Sequence, residues 1–127
     1  MFTPENFSFK AFIDLVIERM NLKNAEEGVR TKIEREILRL LDNRIMGCVF
    51  NSMTEDNLIQ YDLLREQNPE VSDFENLFKM IEEIPALHEI MLKGVNDLAD
   101  ELIYDSQRLD AALEVREKNI ANANKNK

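Results

Sequence analysis

The sequence predicts an all-α protein, a compact bundle of four to five helices around a long central helix. Three observations predict it. Apolar residues recur three or four apart through most of the chain, the period of a helix with one buried face. Good helix formers dominate, with only 3 glycines and 3 prolines among 127 residues. Capping signals divide the periodic stretches into segments, and no stretch alternates as a half-buried strand does.

The organising stretch is residues 25–50, AEEGVRTKIEREILRLLDNRIMGCVF. Val29, Ile33, Ile37, Leu38, Leu40, Leu41, Ile45, Val49 and Phe50 repeat at helical spacing, with neither proline nor turn cluster between them. This is the expected central helix. Asn24 is its expected N-cap, with Glu27 at the capping-box position and Glu26 favourable to the helix dipole.

Ahead of it, Thr3-Pro4 and Ser8 compete as the start of a first helix. Its apolar face is Phe9, Phe12, Ile13, Val16, Ile17 and Met20, and it is expected to end near Asn21-Leu22. Behind the central helix, Thr54 caps a third, with Leu58, Ile59, Tyr61 and Leu64 as its apolar face. Gln67-Asn68-Pro69 breaks it, because the residue before proline is pushed out of the α region. Ser72 and Glu75 form a capping box for a fourth helix, whose core residues are Phe74, Leu77, Phe78, Ile81 and Ile84.

Pro85 closes that helix and opens a fifth. There Met91, Val95, Leu98 and Leu102 make a short heptad seam, which degrades where Asp105 and Arg116 fall on it. The expected organisation is a helical bundle over residues 1–104. An acidic helical extension follows over 105–127 and ends in a polar tail.

The length suits one domain with one modest core. A formal net charge of −9 speaks against a uniform nucleic-acid binder, which needs basic groups to displace counterions from phosphates. It suits a basic partner better. One cysteine, Cys48, permits no internal disulfide and fits a reducing compartment. The N-terminus lacks a basic region followed by a long apolar run. No segment reaches the roughly 20 apolar residues that span a bilayer. These features predict a cytoplasmic protein that does not enter a membrane.

No motif with recognisable chemistry stands out. His88, the single histidine, has no E-x-x-H companion and reads as structural rather than as a ligand. Cys48 has apolar neighbours and reads as an inert thiol rather than as half of a Cys–His pair. Gly28, Gly47 and Gly94 are isolated within helical patterns and form no phosphate loop. Gly47 and Gly94 read instead as points of close helix approach or of loosened helix. No enzymatic activity, metal site or cofactor is therefore expected.

The expected function is a protein–protein interaction module or a small subunit of a larger assembly. Phe2, Phe7, Phe9 and Phe12 crowd the N-terminus and form a candidate partner surface. Leu109 and Leu113 extend it along a stripe of the fifth helix, where another chain can pack. Charges on the seam limit self-association there, so a monomer or weak homodimer is expected. The alternative is a nucleic-acid-associated protein using Lys32, Arg35 and Arg39, which share one face of the central helix. The same residues also read as a solvated face with intrahelical ion pairs.

The order of elements carries a resemblance. A short apolar helix ends in Met20-Asn21-Leu22. A long helix follows, with Ile33, Ile37 and Leu41 leading to Asn43-Arg44-Ile45. Then come Met53-Thr54-Glu55-Asp56-Asn57-Leu58, a loop, and Glu83-Ile84-Pro85-Ala86-Leu87 with Ile90. Over roughly residues 9–104 this resembles a family of short, acidic, all-helical proteins catalogued as a domain of unknown function, found mainly in candidate-phyla bacteria. The resemblance implies a compact bundle in a bacterial cytoplasm and carries over no functional residue.

Overall fold

The computed structural model describes the backbone of residues 1–125 and the side chains of residues 1–107. The chain forms α1 (Phe9–Arg19), α2 (Glu27–Ser52), α3 (Glu55–Gln67), α4 (Asp73–Glu83) and α5 (Pro85–Lys125). No strand occurs among the described residues. The fold is the predicted all-α bundle. α5 continues through residue 104, so no break in the helix marks the expected boundary there.

Local chemistry sets most of the helix ends. Ser8 caps α1, accepting from the Ala11 N–H at 3.0 Å. Thr3 instead heads a turn, its carbonyl accepting from the Asn6 and Phe7 N–H groups. α1 closes in a Schellman motif, in which Asn21 adopts φ 59°. The Asn21 N–H then donates to the Glu18 carbonyl and the Leu22 N–H to the Ile17 carbonyl. Thr54 and Asn57 make a reciprocal capping box for α3, and Ser72 caps α4 by accepting from Glu75 N–H. The expected cap at Asn24 is not used. Ala25 N–H donates to the Leu22 carbonyl in a turn, so α2 starts later, after Glu26, without a side-chain cap.

α2 shares the centre with α5, and these two helices pack most extensively. α2 buries Ile37, Leu41, Ile45 and Val49, and α5 buries Leu87, Met91, Leu92, Val95, Leu98 and Ala99. They run antiparallel, since Arg44 pairs with Glu101 while Cys48 lies against Gly94. A Cβ on Gly94 would stand 2.8 Å from Cys48 Sγ, so the missing side chain permits the close approach. Gly47 does no such thing, because nothing lies within 4 Å of where its Cβ would be.

α1 packs on α2 and α5, and α4 on α5 and α2. α3 is the outlier, its backbone running close to α4 alone. The N-terminal segment is tied down by Asn96 of α5. Phe2 N–H donates to Asn96 Oδ1 at 2.7 Å, and Asn96 Nδ2 donates to the Phe2 carbonyl at 3.1 Å.

Two parts of the expected apolar faces do not reach the core. Val29 and Leu38 of α2 are exposed, as are Leu58 and Ile59 of α3. No residue of α2 before Ile37 is buried, because the core begins one-third of the way along that helix.

Leu41→Ala should cost about 2–5 kcal/mol, and Val29→Ala should stay within about 0.5 kcal/mol, both read by urea unfolding. Gly47→Ala should stabilise by up to about 1 kcal/mol through helix propensity. Gly94→Ala should do so only after Cys48→Ala makes room, giving a non-additive double-mutant cycle.

Candidate interaction surface

The N-terminal aromatic side chains turn inward, which corrects their reading as a partner surface. Phe12 is fully buried, and Phe2, Phe7 and Phe9 pack against the core. The Phe2 ring meets Phe7 and Phe12 at 5.7 and 5.8 Å, and Phe9 meets Phe74 and Phe78 at 5.9 and 5.7 Å. These edge and tilted contacts are favourable aromatic geometries, and they join α1 to α4. Leu109 and Leu113 lie outside the described side chains.

Lys32, Arg35 and Arg39 are exposed on α2. Arg39 is held by Glu36, and Arg30 pairs with Glu34 at 3.2 Å nearby. Arg39's hydrogen bond holds the Glu36 carboxyl below its ordinary pKa and raises its own. Of the three stripe cations, Arg39 thus carries its own counter-charge.

Cys48 and His88 are both half-buried, and the shallow cleft at Cys48 is lined by Asn51, Ile90, Lys93 and Gly94, not by His88. No cluster of His, Cys, Asp or Glu suited to a metal ion occurs among the described residues. None of the helices, so far as described, is long and apolar enough to cross a membrane.

Exposed large apolar side chains occur at Met1, Val29, Leu38 and Tyr104, but three others, Leu58, Ile59 and Leu63, gather on α3. Tyr61 is its single buried residue. The ring stands edge-on to Phe50 at 5.1 Å, beneath the Arg65 guanidinium at 5.7 Å, and its hydroxyl donates to the Asp73 carbonyl at 3.4 Å. Burial pushes the phenol pKa up. At about 100° per residue, Ile59 and Leu63 then stand on the opposite face from Tyr61. They are 54% and 50% exposed, and Leu58 on the flank is 42% exposed. Glu55, Asp56, Asp62 and Glu66 surround them, all exposed. Arg65, the one cation of α3, is engaged by Asp73 at 3.0 Å.

A cleft of about 390 Å³ opens beside this face, where α3 turns into α4. Asp62, Arg65 and Glu66 line it from α3, Pro69 and Val71 from the loop, and Asp73 and Asn76 from α4. Asn76 is fully buried, yet neither Oδ1 nor Nδ2 has a hydrogen-bond partner. On the α4 wheel Phe74 and Phe78 flank the Leu77/Ile81 ridge on one side, toward Phe9. Asn76 and Met80 flank it on the other. Sequence reasoning missed Asn76, since an asparagine beside a core leucine looks like any solvated helix residue.

Comparison with protein-family models, with curated proteins and with solved structures returns no match.

Tyr61→Ala should cost about 3–5 kcal/mol, as for other buried aromatic truncations. The loss should fall first on α3: amide exchange should accelerate over residues 55–67 while α2 and α5 stay protected.

Proposed function

We propose that this protein is a non-enzymatic interaction module and that the outer face of α3 is its docking surface. The observation that carries this is the exposure of Leu58, Ile59 and Leu63 on one short helix anchored by Tyr61. Apolar residues scattered singly on a surface need no explanation, but Ile59 and Leu63 form an i,i+4 ridge. The occupant is a basic segment of another protein, rich in lysine or arginine and carrying leucine-sized anchors. Charge complementarity supports this, because carboxylates of Glu55, Asp56, Asp62 and Glu66 rim the ridge of a chain with net charge −9. Anchors bury against Ile59 and Leu63 while the carboxylates set orientation and association rate.

The test uses a short capped peptide alternating leucine and arginine, followed by fluorescence anisotropy. Binding should weaken as salt rises. Ile59→Ser with Leu63→Ser, which removes the ridge without adding charge, should lower affinity at least about tenfold while leaving thermal stability nearly unchanged, since both side chains are exposed. Equal affinity for the wild type and this double variant would falsify the docking surface.

A further inference from the structure

Among the described residues Asn76 is the one fully buried polar side chain, and both its polar atoms lack partners. A carboxamide in that state costs stability that a leucine of similar shape would not. Its neighbours Leu77 and Met80 are fully buried, so a leucine here would simply extend the core. Yet Asn76 also lines the α3–α4 cleft, so it stands where core and cleft meet.

The molecule itself shows what an asparagine does when a chain crosses it. Asn96 accepts from the Phe2 N–H and donates to the Phe2 carbonyl, so one carboxamide satisfies both main-chain groups of one residue. A neighbouring strand does the same for a peptide added to a sheet edge.

We propose that the α3–α4 cleft binds an extended basic peptide, with Asn76 clamping the N–H and C=O of one of its residues. This rests on the docking surface proposed above and gives the conformation of its occupant. The spacings agree: Ile59 and Leu63 are separated by about 6 Å of helix rise. Alternate side chains of an extended chain are about 6.7 Å apart. A segment whose alternate side chains sit on that ridge reaches the cleft at Asp62 and Glu66, which belong to both surfaces. Pro69 and Val71 offer apolar wall to the stem of an arginine. Arg65 and Asp73 line the same cleft and are joined by an exposed ion pair, a contact of small net worth. The clamp requires that an incoming guanidinium displace Arg65 from Asp73 and that the side chains over the buried Asn76 part as it does so.

The experiment titrates isotope-labelled full-length protein with the leucine–arginine peptide and follows the Asn76 side-chain amide by NMR. The expected result is a shift of that resonance on binding. N-methylation of a single backbone amide in the peptide should lower affinity about tenfold, with much smaller effects at other positions. Asn76→Leu should raise Tm by about 5 °C and lower affinity by a similar factor. Peptide binding that needs Ile59 and Leu63 but leaves the Asn76 amide unmoved, and tolerates every N-methyl group, overturns the clamp and leaves the docking surface standing. Binding that needs Asn76 but survives Ile59→Ser with Leu63→Ser overturns the docking surface and keeps the clamp. No binding to the wild type at low salt overturns both. The N-methyl series needs only the wild-type protein, so the clamp remains testable even if Asn76→Leu fails to fold.

Discussion

The rest of the bundle depends on the close antiparallel contact of α2 and α5. Helix axes approach only as near as their side chains allow, and at Gly94 there is none. Cys48, small and half-buried, fills the space opposite. That contact also sets register, bringing Arg44 to Glu101 at 2.6 Å. The Arg44 guanidinium holds the Glu101 carboxyl below its ordinary pKa. The pair therefore adds stability at neutral pH that is lost as pH falls into the carboxylate range. Glu101 is more than half exposed, so this contribution is small beside the apolar seam it accompanies.

Once α2 and α5 are joined, two grooves remain beside them, and α1 and α4 fill these. The N-terminal phenylalanines then have an inward destination. Phe12 enters the core outright, and Phe9 reaches across to Phe74 and Phe78. α4 is thereby engaged on its central ridge and on one flank. α3 meets what is left, the flank that carries Asn76 and Met80. It buries one large side chain, Tyr61, and packs Leu64 part-buried against the core, while Leu58, Ile59 and Leu63 remain exposed. Exposure of Ile59 and Leu63 follows from α3 packing on α4 alone, although its composition is apolar enough to predict a buried face.

The same packing explains what could be read in the sequence. Caps at Thr54 and Ser72, the helix end at Asn21 and the opening of α5 at Pro85 are local chemistry, settled within four residues, and they were legible, whereas the sequence left Ser8 competing with Thr3-Pro4. The burial of Ile37, Leu41, Met91 and Val95 was legible too, because a stripe repeated over several turns needs a partner. Asn24 misled because the turn closed by the Ala25 N–H on the Leu22 carbonyl carries the chain past it before α2 begins after Glu26. Val29, Leu38, Leu58 and Ile59 misled because periodicity shows that a residue lies near an apolar face. It does not show how wide the facing helix is or where the core begins. Asn76 was invisible for the opposite reason: its significance lies wholly in what surrounds it. Nothing in DFENLFKM distinguishes a buried, unpartnered carboxamide from a wet one.

The exposed ridge of α3 also bears on what it meets. An isologous contact between two copies through this face would bring Glu55, Asp62 and Glu66 of one chain against the same residues of the other. Like charges so placed oppose association, and a chain of net charge −9 adds its overall repulsion. Under the proposed docking reading, the carboxylates would oppose self-association through Leu58, Ile59 and Leu63, as charged residues protect exposed strand edges elsewhere. A cationic partner reverses every one of these terms. The same rim that repels a second copy attracts a basic segment, and the apolar ridge contributes once the two surfaces meet. The arrangement therefore favours a basic partner over a second copy of the chain.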